Sequence, residues 1–213
     1  MARFVLVHGA WHGAWCFSDL IRELELRGHA AAAVDLPCDV PGLTQHDYAR
    51  LIGPQPDAIL VGHSLAAQTI PHVEAHLRVY LGGLLPVAGA YDEAFAAGFG
   101  GTVRDELDRS YWPDAETCAT FMYPDCTREQ SDRAFAQLRR QARISGEPAP
   151  FGEGDVVIAT LRDAAIDPAW QLRTARAHGA RVIELDSGHS PFFTQPDELA
   201  AVLDRLAAPP EEA

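Results

Sequence analysis

Hydrophobic and polar positions along the chain fall into a repeating rhythm. A short apolar run, Phe4 to Val7, gives way to turn-rich residues 8–15 and then to Leu20, Ile21 and Leu24 at helical spacing. The run predicts a buried strand, and the spacing an amphipathic helix over Phe17 to Arg27 that Gly28 stops. Ala30 to Val34 reads as a weak second strand, closed by Asp35-Leu36-Pro37. Leu43 to Ile52 predicts a short helix with Thr44 as N-cap. Ala58 to Val61 is β-branched and apolar, a third buried strand. Ala66 to Leu77 then predicts a helix, and Arg78 to Pro86 a fourth strand. Strands alternating with helices imply parallel pairing through crossovers.

The rhythm breaks between Val87 and Gly154. Three glycines (98, 100, 101) and scattered aromatics lie here, and Arg128 to Arg143 predicts a charged helix. The stretch is too short for a sizeable core of its own. It is expected to be a small helical cap over an apolar pocket, residues 87–154, with 1–86 and 155–213 as the body. The rhythm resumes with a strand at Val156 to Leu161, a helix at Ala169 to Ala177 and a strand at Arg181 to Leu185. The closing helix spans Pro196 to Ala207, and the tail Pro209 to Ala213 is expected to be disordered. The fold class is therefore α/β: a mostly parallel sheet of about six strands flanked by helices, with the insertion after the fourth strand.

Composition narrows the function. The net charge of −13 argues against nucleic acid, which requires basic patches. No apolar run reaches the length of a membrane span, and the N-terminal run is too short for a signal peptide, so a cytoplasmic location is expected. All 17 basic side chains are arginine. Cys16, Cys38, Cys118 and Cys126 form no Cys-x-x-Cys pair and suggest neither disulfide nor zinc. His72 and His76 stand four apart on the predicted helix, but without a third ligand they read as a solvated face. No metal or cofactor is expected.

The chemistry gathers around Gly62-His63-Ser64-Leu65-Ala66. A serine between a buried strand and a helix, flanked by small residues, is a nucleophile elbow, with Ala66 where the pattern has glycine. Active sites of parallel sheets lie at the carboxyl ends of the strands. Ser64, Asp163 and His189 each follow a different strand there, in the chain order Ser…Asp…His. His189 can take the serine proton and return it to the leaving group, and Asp163 can hold the imidazole tautomer. Asp167 competes as the acid, but its place before Pro168 suits an N-cap. The backbone N–H groups of Leu65 and Ala10 are the expected oxyanion donors. His8 and His63 are expected to be structural. Trp11, His12, Trp112, Phe121 and Tyr123 are candidate pocket residues.

These residues resemble a known family. The opening from Phe4 to Trp15, the elbow from Val61 to Ala66 and the loop from Gly188 to Phe193 look like the hydroxynitrile lyase-like branch of the α/β-hydrolases, which also contains methyl-ester esterases. Asp125-Cys126 resembles part of the bacterial members' cap, and Thr160 to Ile166 resembles the acid-bearing loop, which supports Asp163. The helix Leu43 to Ile52 is short for the family. The resemblance implies an α/β-hydrolase fold and a serine hydrolase that cleaves a small, largely apolar carboxylic ester through an acyl-serine. The lyases of the branch carry a lysine beside the catalytic histidine. Here Ser190 follows His189 and the chain has no lysine. Hydroxynitrile lyase-type, thioesterase or cyclase chemistry on the same triad, or non-catalytic small-molecule binding, are the alternatives. The expected partner is a small-molecule ester, with a homodimer as a candidate assembly.

Overall fold

The computed structural model describes residues 1–87, 91–147 and 149–208. The predicted tail, Pro209 to Ala213, lies outside the described residues. Six parallel strands form one sheet: β1 (Arg3–Val7), β2 (Ala30–Val34), β3 (Gln55–His63), β4 (Ala75–Leu81), β7 (Val156–Thr160) and β8 (Arg181–Leu185), in the order β2-β1-β3-β4-β7-β8. Alternation along the strands feeds two apolar layers. Val5, Leu60, Tyr80 and Val157 face one layer, which also holds Tyr48 of α2 (Gln45–Ile52) and Trp170 of α6 (Pro168–Ala177). Phe4, Ile59, Val79 and Ile158 face the other, against Leu20 and Leu24 of α1 (Ser18–Leu26) and Leu199 and Leu203 of α7 (Pro196–Ala207). Helices on both faces bury both sides of the central strands, so residues 4–7, 58–61 and 156–159 are continuously apolar. Among the described residues, no helix is long and apolar enough to cross a membrane.

The chain order reverses between β1 and β3, which pair side by side while their neighbours lead away in opposite directions. That switch point opens a crevice at the carboxyl ends of both strands. Between β4 and β7 run α3 (Tyr91–Ala94), a hairpin of β5 (Val103–Arg104) and β6 (Ser110–Tyr111), α4 (Ala115–Met122) and α5 (Arg128–Phe135). Trp112, Cys118, Met122 and Tyr123 form a third apolar cluster here. It meets the body through Trp11, Trp15 and Phe193.

Three expectations are corrected. The helix predicted over Ala66 to Leu77 is replaced by two 3₁₀ turns, Ser64–Gln68 and Ile70–His72, and β4 already begins at Ala75 rather than Arg78. Pro71 donates no N–H, and Thr69, Ile70 and Val73 are β-branched, so the segment does not propagate as an α-helix. His72 and His76 consequently share no helix face. His76 lies on β4, and the ring of His72 meets His46 at 4.3 Å. The charged helix predicted to Arg143 ends at Phe135. Beyond it the backbone turns outward to bond other segments, Arg139 N–H to the Trp11 carbonyl, Gln141 N–H to Ser110 and Ala142 N–H to Cys38.

Candidate active site

Ser64 sits where β3 ends and the first 3₁₀ turn begins, at a φ of 51°. A non-glycine residue at positive φ is strained, and such strain is held only where surrounding packing enforces it. Gly62 lets strand and turn pass: a Cβ there would come within 2.9 Å of Ile70. Ala66, the departure from the elbow pattern, is buried in the apolar layer, which accommodates its methyl group. Gly9, in the loop after β1, is the closest approach to the serine. A Cβ at Gly9 would stand 2.7 Å from the Ser64 Cβ and 3.0 Å from the His63 carbonyl. Gly9→Ala is therefore expected to cost about 1–3 kcal/mol of stability by overpacking and to displace Ser64. Thermal unfolding of this variant beside wild type is the measurement.

The three residues singled out from the sequence come together. His189 lies on the loop after β8, and its Nε2 accepts from the Ser64 hydroxyl at 3.1 Å. Its Nδ1 donates to Asp163 Oδ2 at 2.8 Å. Asp163 follows β7 and is enclosed by further donors. Thr160 Oγ1 bonds Oδ2 at 2.7 Å, and the N–H groups of Ala165 and Ile166 bond Oδ1 at 2.8 and 2.9 Å. Gln171, fully buried on α6, adds its amide to Oδ2 at 3.3 Å. This shell fixes the carboxylate so that one oxygen faces the imidazole. Asp167 instead bonds the N–H groups of Ala169 and Trp170 and caps α6.

Leu65 and Ala10 face each other across the switch point and both line the cavity at Ser64. Leu65 stands in the first turn of its 3₁₀ segment, where N–H groups have no intrahelical acceptor. The N–H of Ala10 has no acceptor among the described residues.

Buried histidines brace this arrangement. His63 Nε2 donates to the His189 carbonyl at 2.9 Å, which ties the elbow to the histidine loop. His12 Nδ1 donates to the Ala10 carbonyl at 2.9 Å, and its Nε2 accepts from the Tyr123 hydroxyl at 2.8 Å. His8 Nδ1 donates to the Gly9 carbonyl, and its Nε2 accepts the Leu36 N–H, each at 2.9 Å. A carbonyl on one ring nitrogen and a donor on the other select a neutral tautomer in His8 and His12. Burial pushes the pKa of His12 down to about 3, that of His63 well below its ordinary value, and that of His8 down as well.

The cavity measures about 300 Å³, at the small end for ligand pockets. Beside Ser64 and His189, its wall is mainly apolar, with Trp11, Leu84, Phe95, Phe99, Met122 and Ile144. Of the five candidate pocket residues, only Trp11 lines it. His12 and Tyr123 are buried behind it, bonded to each other. Trp112 packs against Trp11 at 5.3 Å, and Phe121 against Phe99 at 5.4 Å, forming a layer behind the lining rings. These aromatics fill the cluster of the inserted segment, so they support the wall rather than form it.

Arg139 was not singled out from the sequence. Its backbone N–H bonds the Trp11 carbonyl at 2.7 Å. Its guanidinium donates to the carbonyls of His12 and Leu36 at 2.9 and 3.0 Å and pairs with Asp35 at 2.9 Å. The Trp11 indole N–H donates to Ser110 at 3.1 Å. Trp11 has a φ of 64°, so these bonds hold the strained loop after β1 from the segment between β4 and β7. A lone arginine in a charged run carries no sequence signal for this role.

Comparison with known proteins agrees with the topology. The model of the "Alpha/beta hydrolase family" matches residues 4–202. This chain belongs to the α/β-hydrolase family. It is similar to methylesterase 10 of Arabidopsis thaliana, 25% identical over 255 aligned positions that cover 96% of this chain and 91% of the relative. The alignment has more positions than this α/β-hydrolase has residues, so the plant protein carries insertions relative to it. A carbendazim-hydrolyzing esterase of Nocardioides sp. (strain SG-4G) is 34% identical over 42% of this chain and 45% of its own length. The crystal structure of a pyrethroid hydrolase from Sphingobium faniae JZ-2 superposes with a TM-score of 0.78 at 22% identity, covering 99% of each chain.

Proposed function

We propose that the protein is a carboxylic ester hydrolase that cleaves a small, largely apolar ester through an acyl-Ser64 intermediate. The observation that carries this reading is the hydrogen-bonded chain Ser64–His189–Asp163 at a mainly apolar cavity. The matched relatives described as esterases support it. Ser64 Oγ attacks the ester carbonyl as its proton passes to His189 Nε2, and Asp163 stabilises the imidazolium. The N–H groups of Leu65 and Ala10 receive the oxyanion, each worth about 3 kcal/mol of barrier in such sites. His189 returns the proton to the departing alcohol. Water, deprotonated by His189, then attacks the acyl-serine and releases the acid. In this reading residues 87–154 act as the cap that shapes the acyl site.

A panel of methyl and nitrophenyl esters of graded acyl size, with fluorophosphonate labelling of Ser64, tests the proposal. Turnover with labelling at Ser64 is expected; an unlabelled, inactive wild type refutes it. The acid is tested by a pair of variants. Asp163→Asn is expected to lower kcat by about 10⁴-fold, the cost of a wrong imidazole tautomer. Asp167→Asn keeps a capping oxygen and is expected to change kcat less than about twofold. Steady-state kinetics on one ester reads both.

A further inference from the structure

The cavity that holds Ser64 also has a cationic end. Arg104 and Arg143 both line it, with side chains 44% and 70% exposed, against 8% for Ser64 and 1% for His189. The cavity wall thus includes a dry polar chain, the apolar side chains of Phe95, Phe99 and Ile144, and an exposed arginine pair. The pair shares one carboxylate. Arg104 Nη1 donates to the Asp108 carbonyl at 2.6 Å and pairs with its carboxylate at 3.2 Å, and Arg143 Nε pairs with the same carboxylate. Asp108 sits at a φ of 58°, which turns it back between the two arginines. Those hydrogen bonds hold its carboxyl below the usual range, so it stays ionised.

Two cations on one anion leave a positive charge over. Next to them Asp105 takes both Arg109 and Arg140, while Glu106 is the remaining acid of the turn. With Arg140 and Arg143 from the following segment, four arginines here meet the three acids Asp105, Glu106 and Asp108, one positive charge over in a chain whose net charge is −13. A guanidinium has five N–H donors in a planar fork that matches a carboxylate. The pairing with Asp108 uses few of them.

We propose that the substrate carries a carboxylate at the far end of an apolar stem, opposite the ester, and that Arg104 and Arg143 bind it. The substrate class is then the half-ester of a dicarboxylic acid. This rests on Ser64 being the ester-cleaving nucleophile, and it adds the requirement for the second acid group. The apolar wall accommodates the stem, and the rim offsets the repulsion that an acidic protein exerts on an anion.

Binding and turnover test it separately. Monomethyl half-esters of graded chain length and neutral methyl esters of equal length are titrated into Ser64→Ala by calorimetry, and their kcat/KM is measured with wild type. At the best length the half-ester is expected to be preferred about 10-fold in both readouts, the effect of a charge-assisted fork discounted for exposure. The preference is expected to fall towards one in Arg104→Gln/Arg143→Gln, to recover in part with Lys at both positions, and to shrink with added salt. A half-ester that binds no better than its neutral match, or a preference that survives the double variant, overturns the proposal. Neutral esters turned over without half-ester preference refute the rim alone. Preferential binding without any turnover keeps the rim and refutes the esterase reading.

Discussion

Ser64→Ala is expected to lose ester hydrolysis by about 10⁴-fold or more while the fold persists. The magnitude follows from the proposed covalent route, in which loss of Oγ leaves His189 no nucleophile to activate and leaves only transition-state binding by the proposed oxyanion donors. The structure also predicts what happens to stability. Ser64 holds a φ of 51°, and alanine there keeps the same backbone strain. Ser64→Gly removes it. The glycine variant is therefore expected to be as inactive as Ser64→Ala but more stable than it, by up to about 1 kcal/mol. Single-turnover assays and chemical denaturation of the three proteins read both effects. An alanine variant that retains more than about 1% of wild-type kcat argues against an acyl-Ser64 route. A glycine variant no more stable than the alanine variant argues that the turn is unstrained.

The strain and the chemistry share one cause. Ser64 opens onto the cavity from the tip of a turn that Gly9 and Gly62 allow to pack closely, and Trp11, which lines the same cavity, is strained in the same sense. Neither conformation is chosen by local preference. Each is imposed by partners distant in sequence, Arg139 and Ser110 for Trp11, the β1 loop for Ser64. That explains which parts were legible in the sequence. The strands at Phe4, Ala58 and Val156 could be read because burial on both faces of a parallel sheet writes a continuous apolar run. Ser64, Asp163 and His189 could be placed because each follows a strand. The segment after Ser64 was misread. Its apolar residues suit a helix or a strand equally, and Pro71 with its β-branched neighbours decided against the helix. The charged run after Arg128 was misread for another reason. Its arginines have helical propensity, but Arg139 and Gln141 find backbone partners outside the helix. The cavity wall was the least legible part. Phe99 and Phe121 are equivalent in composition, and only the packing puts one in front of the other.

Stability is expected to fall steeply as the pH drops from 6.5 towards 5. His12 and His63 are buried with no carboxylate paired to either ring nitrogen, and His8 is buried with only Asp35 nearby, at 3.8 Å from Nε2; burial lowers the pKa of each, to about 3 for His12. In the unfolded chain a histidine titrates near about 6.5. Below that value the unfolded state takes up protons that the folded state refuses, so stability is complete above 6.5 and is lost on acidification, for His12 down to about 3. Each of these groups adds up to about 1.4 kcal/mol per pH unit to the slope wherever its unfolded form is protonated and its folded form is not. The carboxylates lowered by ion pairs or caps, such as Asp108 and Asp114, titrate below the usual carboxylate range and leave this window to the histidines. Urea unfolding at intervals between pH 8 and 5 measures the slope. His12→Asn, which removes the group held down to about 3, is expected to reduce the slope by up to about 1.4 kcal/mol per pH unit, whatever it costs in absolute stability. A flat profile between pH 7 and 5 would mean that these rings accept protons in place, which their geometry opposes. His8 Nε2 faces the Leu36 N–H and lies 3.5 Å from the Arg139 guanidinium, so a proton there would set three donors against one another. The same rings hold the loops of Ala10 and His189, so acid is expected to abolish activity through the loss of this brace as well as through the chemistry of the site.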